Sequence, residues 1–202
     1  IYSLGKVDEA SYHTENGVRH ERFNLPVPNY LARAEAYSRR LRQIVAAHSN
    51  LQIAHFRDIW SALPLLETSR DCAKVFEVNG LPSVELPYRY ANLPDATLQK
   101  IFELEQHCLR EADHIVVPSA TIRTHLKKRL IPEEKITLIP NGADIPPAYP
   151  KPADAPKQYL IYFGALQPWQ GVDVALKALR YLQDFEDLKL VICAAHRRHY
   201  VK

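Results

Sequence analysis

The segment 159–182 (YLIYFGALQPWQGVDVALKALRYL) constrains the fold most, because its hydrophobic period changes in mid-run. Residues 159–163 form a short, almost wholly apolar run, which is typical of a strand covered on both faces. After a glycine-bounded turn, residues 164–171, apolar positions recur at helical spacing: Val172, Ala175, Leu176, Leu179 and Leu182. The apolar run 188–193 predicts a second buried strand. Such a strand–helix–strand unit binds ligands at the carboxyl ends of its strands, beside the helix N-terminus.

Composition excludes several classes of protein. With 202 residues, 47% of them apolar, the chain can form one domain or two small ones, and no apolar run is long enough to span a bilayer. A net charge of +3 does not call for a nucleic-acid partner. The three cysteines are scattered, so we expect buried, reduced thiols in a cytoplasmic protein. Since the chain has no methionine and stops directly after a strand, we expect an internal piece of a longer protein.

Strand and helix patterns alternate along the chain, which predicts an α/β fold with a parallel sheet. Besides those of the opening segment, the predicted strands are residues 1–4, 18–25, 51–56, 73–78, 114–117 and 135–139. The predicted helices are residues 29–48, 95–112 and 119–130.

A proline-rich segment, residues 145–157 (IPPAYPKPADAPK), separates two predicted domains. Its five prolines and its lack of periodicity are typical of a stiff, extended linker. Residues 1–144 then form one Rossmann-like domain that is incomplete at its start, and residues 158–202 form the beginning of a second.

Four segments in order resemble one family: residues 75–90 (VFEVNGLPSVELPYRY), 104–122 (LEQHCLREADHIVVPSATI), 135–145 (KITLIPNGADI) and 159–179. They are similar to glycosyltransferase family 4, and the resemblance extends over residues 51–193. It implies the GT-B fold, in which two Rossmann-like domains face each other across the active-site cleft. It also implies transfer of a sugar from a nucleotide-sugar donor to a glycan or lipid-linked acceptor, with retention and without a metal or an organic cofactor. The family's opening strand, its glycine-rich loop and most of its donor domain are absent, so we expect residues 1–202 alone to be inactive.

The donor loop departs from the family pattern. The family usually has an arginine after the first glycine of this loop and a lysine before the last, where this chain has Ala165 and Gln170. Because a metal-free enzyme needs cations and backbone amides to stabilise the leaving diphosphate, we hypothesise replacements. The donor-binding candidates are Gly164, Trp169, Gln170, Gly171, Arg197 and Arg198.

A second interpretation is that the donor site is degenerate. The chain would then belong to a non-catalytic partner subunit that keeps the fold, and Trp169 would only cover the helix N-terminus. Turnover of a nucleotide sugar separates this interpretation from the first.

The predicted reaction centre follows a strand of the first domain. By resemblance, Asn79 takes the place of a histidine that the family often has near the reacting atoms. An amide cannot act as a general base, but it can hydrogen-bond a sugar hydroxyl or the leaving phosphate. The alternative is that Asn79 and the following glycine form only a turn with a left-handed residue. Glu77 lies in an apolar strand, so it needs a partner, Arg57 or Arg89, or a place in the acceptor pocket.

Other polar residues complete the candidate site. His55 ends a predicted strand, where it would contact the acceptor or a phosphate, or else be a satisfied core histidine. Residues 85–90 are interpreted as an acceptor-side loop, and residues 141–142 as a tight turn beside the cleft. The catalytic candidates are His55, Glu77 and Asn79, and the acceptor or cleft candidates are Arg57, Glu85, Arg89, Tyr90, Asn141 and Asp144. No metal ligand set is predicted.

Basic residues on the helix 29–48 and at residues 127–129 raise the question of a membrane. Peripheral contact with the inner face of a membrane would suit a lipid-linked acceptor, whereas the alternative is a solvated helix face.

Overall fold

A computed structural model describes residues 1–5, 11–27, 29–67, 71–167 and 170–194. The chain divides into an N-terminal unit, Ile1–Leu86 with Leu93–Gly142, and a C-terminal unit, Pro87–Asn92 with Ala143–Lys202. Trp169, Arg197 and Arg198, three of the predicted donor-binding residues, lie outside the described residues. No helix among the described residues is both long enough and apolar enough to cross a lipid bilayer.

A parallel sheet of four strands, in the order β4-β5-β6-β7, organises the N-terminal unit. Its strands are β4 (Ile53–Phe56), β5 (Ala73–Glu77), β6 (His114–Val117) and β7 (Ile136–Leu138). Every one of them was predicted, with bounds that differ by two residues or fewer. The sheet confirms the predicted α/β class.

One row of side chains across this sheet forms the centre of the core. The register aligns Phe56 with Phe76, Phe76 with Ile115, and Ile115 with Ile136. All four side chains are buried, and the rings of the two phenylalanines lie 5.0 Å apart. Since successive side chains of a strand alternate between faces, the residues that follow this row belong to the opposite face.

Helices α2 (Ile59–Leu66), α4 (Asp95–Glu111) and α5 (Ala120–Lys128) contribute the rest of this core. Helix α1 (Tyr30–Ala47), capped by Asn29, packs on α2 and was predicted almost to its ends. Helix α2 was not predicted, although Asp58 supplies an N-cap for it, because its eight residues include Pro64. A helix this short depends on its packing, and α2 packs against α1 and α4.

The prediction of an acceptor-side loop at residues 85–90 is wrong, because residues 82–89 form helix α3 (Pro82–Arg89). Pro82 starts the helix, where its missing N–H costs nothing, and Leu86 is buried. Glu85 and Arg89 therefore lie on a helix.

A second sheet has the order β1-β3-β2, from β1 (Tyr2–Leu4), β2 (Tyr12–Glu15) and β3 (Val18–Phe23). Strands β2 and β3 are antiparallel and joined by Asn16 and Gly17, whose φ values of 49° and 76° are those of a type I′ turn. The turn Asn-Gly signals a hairpin, but the sequence analysis did not predict β2. Phe23 packs with Tyr37 and Leu41 of α1.

The C-terminal unit contains β8 (Gln158–Phe163), helix α6 (Val172–Ala178) and β9 (Leu188–Cys193), with the two strands parallel. The elements were predicted, but the expectation of buried strands is wrong: Phe163 is 82% exposed and Ile161 59%. Two described strands with one connecting helix supply no second layer to cover both faces. The proline-rich residues 145–157 form neither helix nor strand.

The three cysteines are free, as predicted, but only Cys72 and Cys108 are buried. Burial raises the pKa of the Cys108 thiol to about 12, which makes it inert. Cys193 is exposed at the end of β9, so the expectation of burial is wrong for that residue.

Candidate functional site

The carboxyl ends of β4 and β5 bring four predicted site residues together: His55, Arg57, Glu77 and Asn79. Because the strands are parallel and Phe56 aligns with Phe76, Arg57 and Glu77 reach the same level at the edge of the sheet. His55 lies two residues before Arg57, so alternation places it on the same face as Glu77. The shared edge of two neighbouring parallel strands therefore assembles the site.

The Glu77 carboxylate is the centre of this cluster. Asn79 donates from Nδ2 to Oε1 at 2.7 Å, and the Nε of Arg57 lies 3.1 Å from the same oxygen. The other oxygen, Oε2, lies 3.0 Å from Nε2 of His55. Arg57, one of the two partners predicted for Glu77, is therefore confirmed. His55 and Asn79 contact the same carboxylate.

These contacts keep Glu77 ionised. The hydrogen bond from Asn79 is the largest cause that lowers the pKa of Glu77 below its ordinary value, and the charges of Arg57 and His55 act in the same direction. Partial burial acts to raise the pKa of Glu77, but its effect is smaller than that of these contacts together. Glu77 is therefore an anion that orients three donors, and a poor proton donor at neutral pH.

Exposure differs among the members of the cluster. The side chain of Glu77 is 24% exposed, whereas His55 is 52% exposed and Arg57 68%. The exposure of His55 overturns the alternative of a satisfied core histidine. With the carboxylate beneath and the donors outside, the cluster presents N–H groups to an oxygen-rich ligand such as a sugar or a phosphate.

The loop after β5 is held by a close contact with α3. A Cβ added to Gly80 would meet Oε1 of Glu85 at 1.9 Å, so the glycine permits the close approach of this carboxylate. Neither Asn79 nor Gly80 has a positive φ, so the alternative of a turn with a left-handed residue is wrong. The structure thus brings Glu85 next to the predicted reaction centre.

Two polar residues at the same edge of the sheet cap helices. Oδ1 of Asp58 accepts hydrogen bonds from the backbone of Trp60 and Ser61, each at 2.9 Å. Ser119 accepts from the N–H of Ile122 at 3.2 Å and is the N-cap of α5. These side chains fix the starts of α2 and α5 beside the cluster.

A buried ion pair anchors the first turn of α3. Glu105 is completely buried, and its Oε2 lies 2.9 Å from Nη1 of Arg129. The same carboxylate accepts hydrogen bonds from the backbone N–H and the hydroxyl of Ser83. Since Ser83 lies just after Gly80, this pair supports the loop that carries Asn79. The sequence analysis missed Arg129, because no local pattern links residues 24 positions apart.

The remaining acceptor-side candidates are Arg89, Tyr90, Asn141 and Asp144. The guanidinium of Arg89 lies 5.8 Å from the ring centre of Tyr90. Asn141 and Asp144 are exposed, and residues 141–142 form no turn, so the interpretation of a tight Asn-Gly turn is wrong.

The predicted donor loop is described only in part. Gly164 and Gly171 have φ values of 145° and 71°, which favour glycine, and Gly171 caps α6. The N–H of Gln170 donates to the carbonyl of Gln167 at 2.9 Å. In the first turn of α6, Asp173 pairs with Lys177 at 3.1 Å, and this contact lowers the pKa of Asp173. A carboxylate therefore lies in the first turn of this helix.

A polar group that the sequence analysis missed lies on the β2–β3 hairpin. His13, Glu15 and His20 each place a potential metal-ligand atom within 4.8 Å of the others. The turn Asn16–Gly17 is the signal that could have revealed it, because it fixes His13 opposite His20.

A parallel α/β sheet with a polar cluster at its carboxyl edge defines a Rossmann-like domain of the kind found in the GT-B fold. Residues 1–145 match the family Glycosyltransferase Family 4, and the chain belongs to that family. The match extends to the start of the chain, beyond the predicted resemblance, but it does not include the donor loop. No curated protein matches the chain.

Proposed function

We propose that this chain is the acceptor-side part of a retaining glycosyltransferase that takes a sugar from a nucleotide-sugar donor. The acceptor is a glycan or a lipid-linked sugar. The single observation that supports this best is the cluster of His55, Arg57 and Asn79 around an ionised Glu77. It offers hydrogen-bond donors at the sheet edge where Rossmann-like domains bind their ligands.

Each member of the cluster has a separate role in the proposal. Arg57 stabilises negative charge that develops on the leaving diphosphate, because its guanidinium keeps further N–H groups exposed. Asn79, whose Nδ2 donates to Glu77, keeps its carbonyl oxygen as an acceptor for a sugar hydroxyl. His55 contacts the acceptor or the phosphate, and Glu77 positions all three.

The acceptor side includes residues near the same loop. Glu85 approaches Gly80, and exposed carboxylates suit sugar hydroxyls. Arg89, Tyr90, Asn141 and Asp144 remain predictions for the acceptor or the cleft, and Gly164, Gln170 and Gly171 for the donor.

A thermal-shift panel with UDP, GDP, ADP and their common sugars tests the donor, using the longest form of the protein that can be purified. A nucleotide at about 100 times its Kd stabilises the folded state by about 2.7 kcal/mol. Selective stabilisation by one nucleotide family supports the proposal, and stabilisation by none contradicts it.

A transfer assay with Arg57→Ala tests the site itself. Loss of one preorganised charge-stabilising group typically costs about 10²–10³-fold in kcat. The matched control is Arg39→Ala, which removes an exposed arginine paired with Glu35 on α1. Equal activities of the two variants would refute the role of Arg57.

The second candidate is a non-catalytic partner subunit. One observation favours it: Ala165 and Gln170 replace the expected cations, and Asp173 adds a carboxylate to the first turn of α6. Such a subunit binds another protein and turns over no nucleotide sugar. Measurable turnover in the assay above excludes it.

Peripheral membrane contact stays a prediction. Arg39 and Arg42 of α1 are paired with Glu35 and Glu67, so α1 offers a lipid surface less charge than its sequence implies. Co-sedimentation with anionic vesicles at low salt tests this contact, and an absence of binding would end the idea.

A further inference from the structure

We propose that His13, Glu15 and His20 form a binding site for a divalent transition-metal ion, with Zn²⁺ as the best fit. The site lies on the β1-β3-β2 sheet, whereas the proposed transfer cluster lies on the β4–β7 sheet. It is therefore a separate function of the hairpin, and it does not alter the expectation that sugar transfer needs no metal.

The hairpin register creates the ligand set. His13 is aligned with His20 across the β2–β3 pair, and Glu15 follows His13 by two residues. Side chains two apart on a strand share a face, and directly opposed residues of an antiparallel pair share it too. The two-residue turn at Asn16 and Gly17 fixes this register, so the three side chains are held on one face by the backbone.

The distances suit a metal. The rings of His13 and His20 stack with their centres 4.4 Å apart. One ligand atom from each residue lies within 4.8 Å of the others. In a tetrahedral zinc site with Zn–N bonds of about 2.1 Å, ligand atoms are about 3.4 Å apart. Small side-chain rotations would bring the three ligand atoms from within 4.8 Å of one another to the separation of a zinc site.

One ring nitrogen of the cluster lacks a hydrogen-bond partner among the described residues. Nδ1 of His13 is shielded from solvent and has no hydrogen-bond partner in the described part of the chain. A buried ring nitrogen without a partner is unfavourable, and a metal ion bound at Nδ1 of His13 would satisfy it. The contact between His13 and Glu15, at 4.0 Å, is too long to be a hydrogen bond.

The other face of the hairpin already has its own contacts. The guanidinium of Arg19 lies 5.0 Å from the ring centre of Tyr12 and 3.3 Å from a carboxylate oxygen of Glu21. The three candidate ligands lie on the opposite face. A set of two imidazoles and one carboxylate matches Zn²⁺ and its neighbours in the series, while Mg²⁺ and Ca²⁺ prefer oxygen ligands.

Competition of the 202-residue chain with a chromogenic zinc chelator tests the site, using Zn²⁺ alone as the probe. We expect one ion per chain. Changes that merely disturb the orientation of metal ligands cost about 10–100-fold in affinity, so His13→Ala and His20→Ala should each cost at least about tenfold. Glu15→Gln, which keeps the shape of the side chain, should also weaken binding.

Two matched controls remove potential ligands elsewhere in the chain. His107→Ala removes an exposed histidine of α4, and Cys193→Ser removes the exposed thiol, so both should bind Zn²⁺ as the unaltered chain does. A Co²⁺ complex should lack sulfur-to-metal charge-transfer bands. Loss of affinity in either control, or unchanged affinity in His13→Ala, would overturn the proposal.

A readout on the unaltered chain covers the case in which a variant fails to fold. In ¹H–¹⁵N NMR spectra of the imidazoles, Zn²⁺ should shift the resonances of His13 and His20 and leave those of His107 in place. Absence of those shifts at saturating Zn²⁺, or displacement of Zn²⁺ by an equal concentration of Mg²⁺, would refute the assignment.

Discussion

The buried pair Glu105–Arg129 allows a quantitative test of how the loop of Asn79 is supported. The side chains of Glu105 and Arg129 are 0% and 7% exposed, so solvent cannot replace a lost partner. Arg129→Ala leaves the carboxylate buried with Ser83 as its remaining donor. Breaking a buried pair from one side costs about 3–5 kcal/mol. Because Ser83 still donates two hydrogen bonds, we expect about 3 kcal/mol in the free energy of unfolding.

The assay is urea denaturation followed by the fluorescence of Trp60, which lies in α2 of the same unit. The chain has two tryptophans, so a Trp169→Phe background isolates that signal. With m values of about 1–3 kcal/mol/M, a loss of 3 kcal/mol lowers the midpoint by about 1–3 M.

Arg42→Ala is the matched control, since Arg42 and Glu67 form an ion pair in which both side chains are about half exposed. An exposed pair is worth about 0–1 kcal/mol. If Arg129→Ala costs no more than Arg42→Ala, the reasoning from burial fails. The double variant Glu105→Leu with Arg129→Met should recover part of the loss, because it removes both charges together but leaves the two donors of Ser83 without their acceptor.

Three further perturbations follow from the site and the hairpin. Asn79→Ala removes the largest cause of the lowered pKa of Glu77, so the pKa of Glu77 should rise toward 4.5. A ¹³C NMR titration of the carboxyl group measures this change. An unchanged pKa would contradict the hydrogen bond from Asn79 as its main cause. The pKa of Glu77 is lower in the folded protein than in the unfolded chain, so ionised Glu77 stabilises the fold above about pH 4.5. This stabilisation is lost as the pH falls through the pKa of the folded state. Asn79→Ala should make the loss of stability smaller. Gly80→Ala should destabilise the protein, and a double-mutant cycle with Glu85→Ala should show coupling of at least about 0.5 kcal/mol; additive effects would mean that the two do not meet. Gly17→Ala should cost about 1 kcal/mol by thermal unfolding because φ there is 76°, and a neutral result would contradict the type I′ turn.

The sheet and its polar edge could be predicted from sequence for one reason: parallel strands give local signals. Apolar runs at residues 53–56, 73–77 and 114–117 mark buried strands, and polar residues directly after them must meet at one edge. That logic placed His55 at the end of its strand and Glu77 in the next one, whereas the role of Asn79 was predicted from the family resemblance. It could not say that Glu77 would be held by three donors.

The misses have physical causes. Helices α2 and α3 contain Pro64 and Pro87, so local propensity argues against them, and packing overrides it. The pairing of Arg129 with Glu105 depends on how α4 and α5 pack, which no local period encodes. The exposure of β8 and β9 was missed because an apolar run gives no information about how many layers cover it.

The geometry of Glu77 restricts how the proposed transferase can move a proton. A carboxylate that already accepts from Asn79 and contacts Arg57 and His55 has a lowered pKa, and a general base works best with a pKa near the operating pH. Asn79 has no proton to exchange. Neither Glu77 nor Asn79 is thus suited to take the acceptor's proton; we propose that this proton passes to the leaving phosphate, and that the cluster contributes by orienting donors toward that phosphate. This division of roles explains how an asparagine can stand where the family often has a histidine without removing the path of the proton.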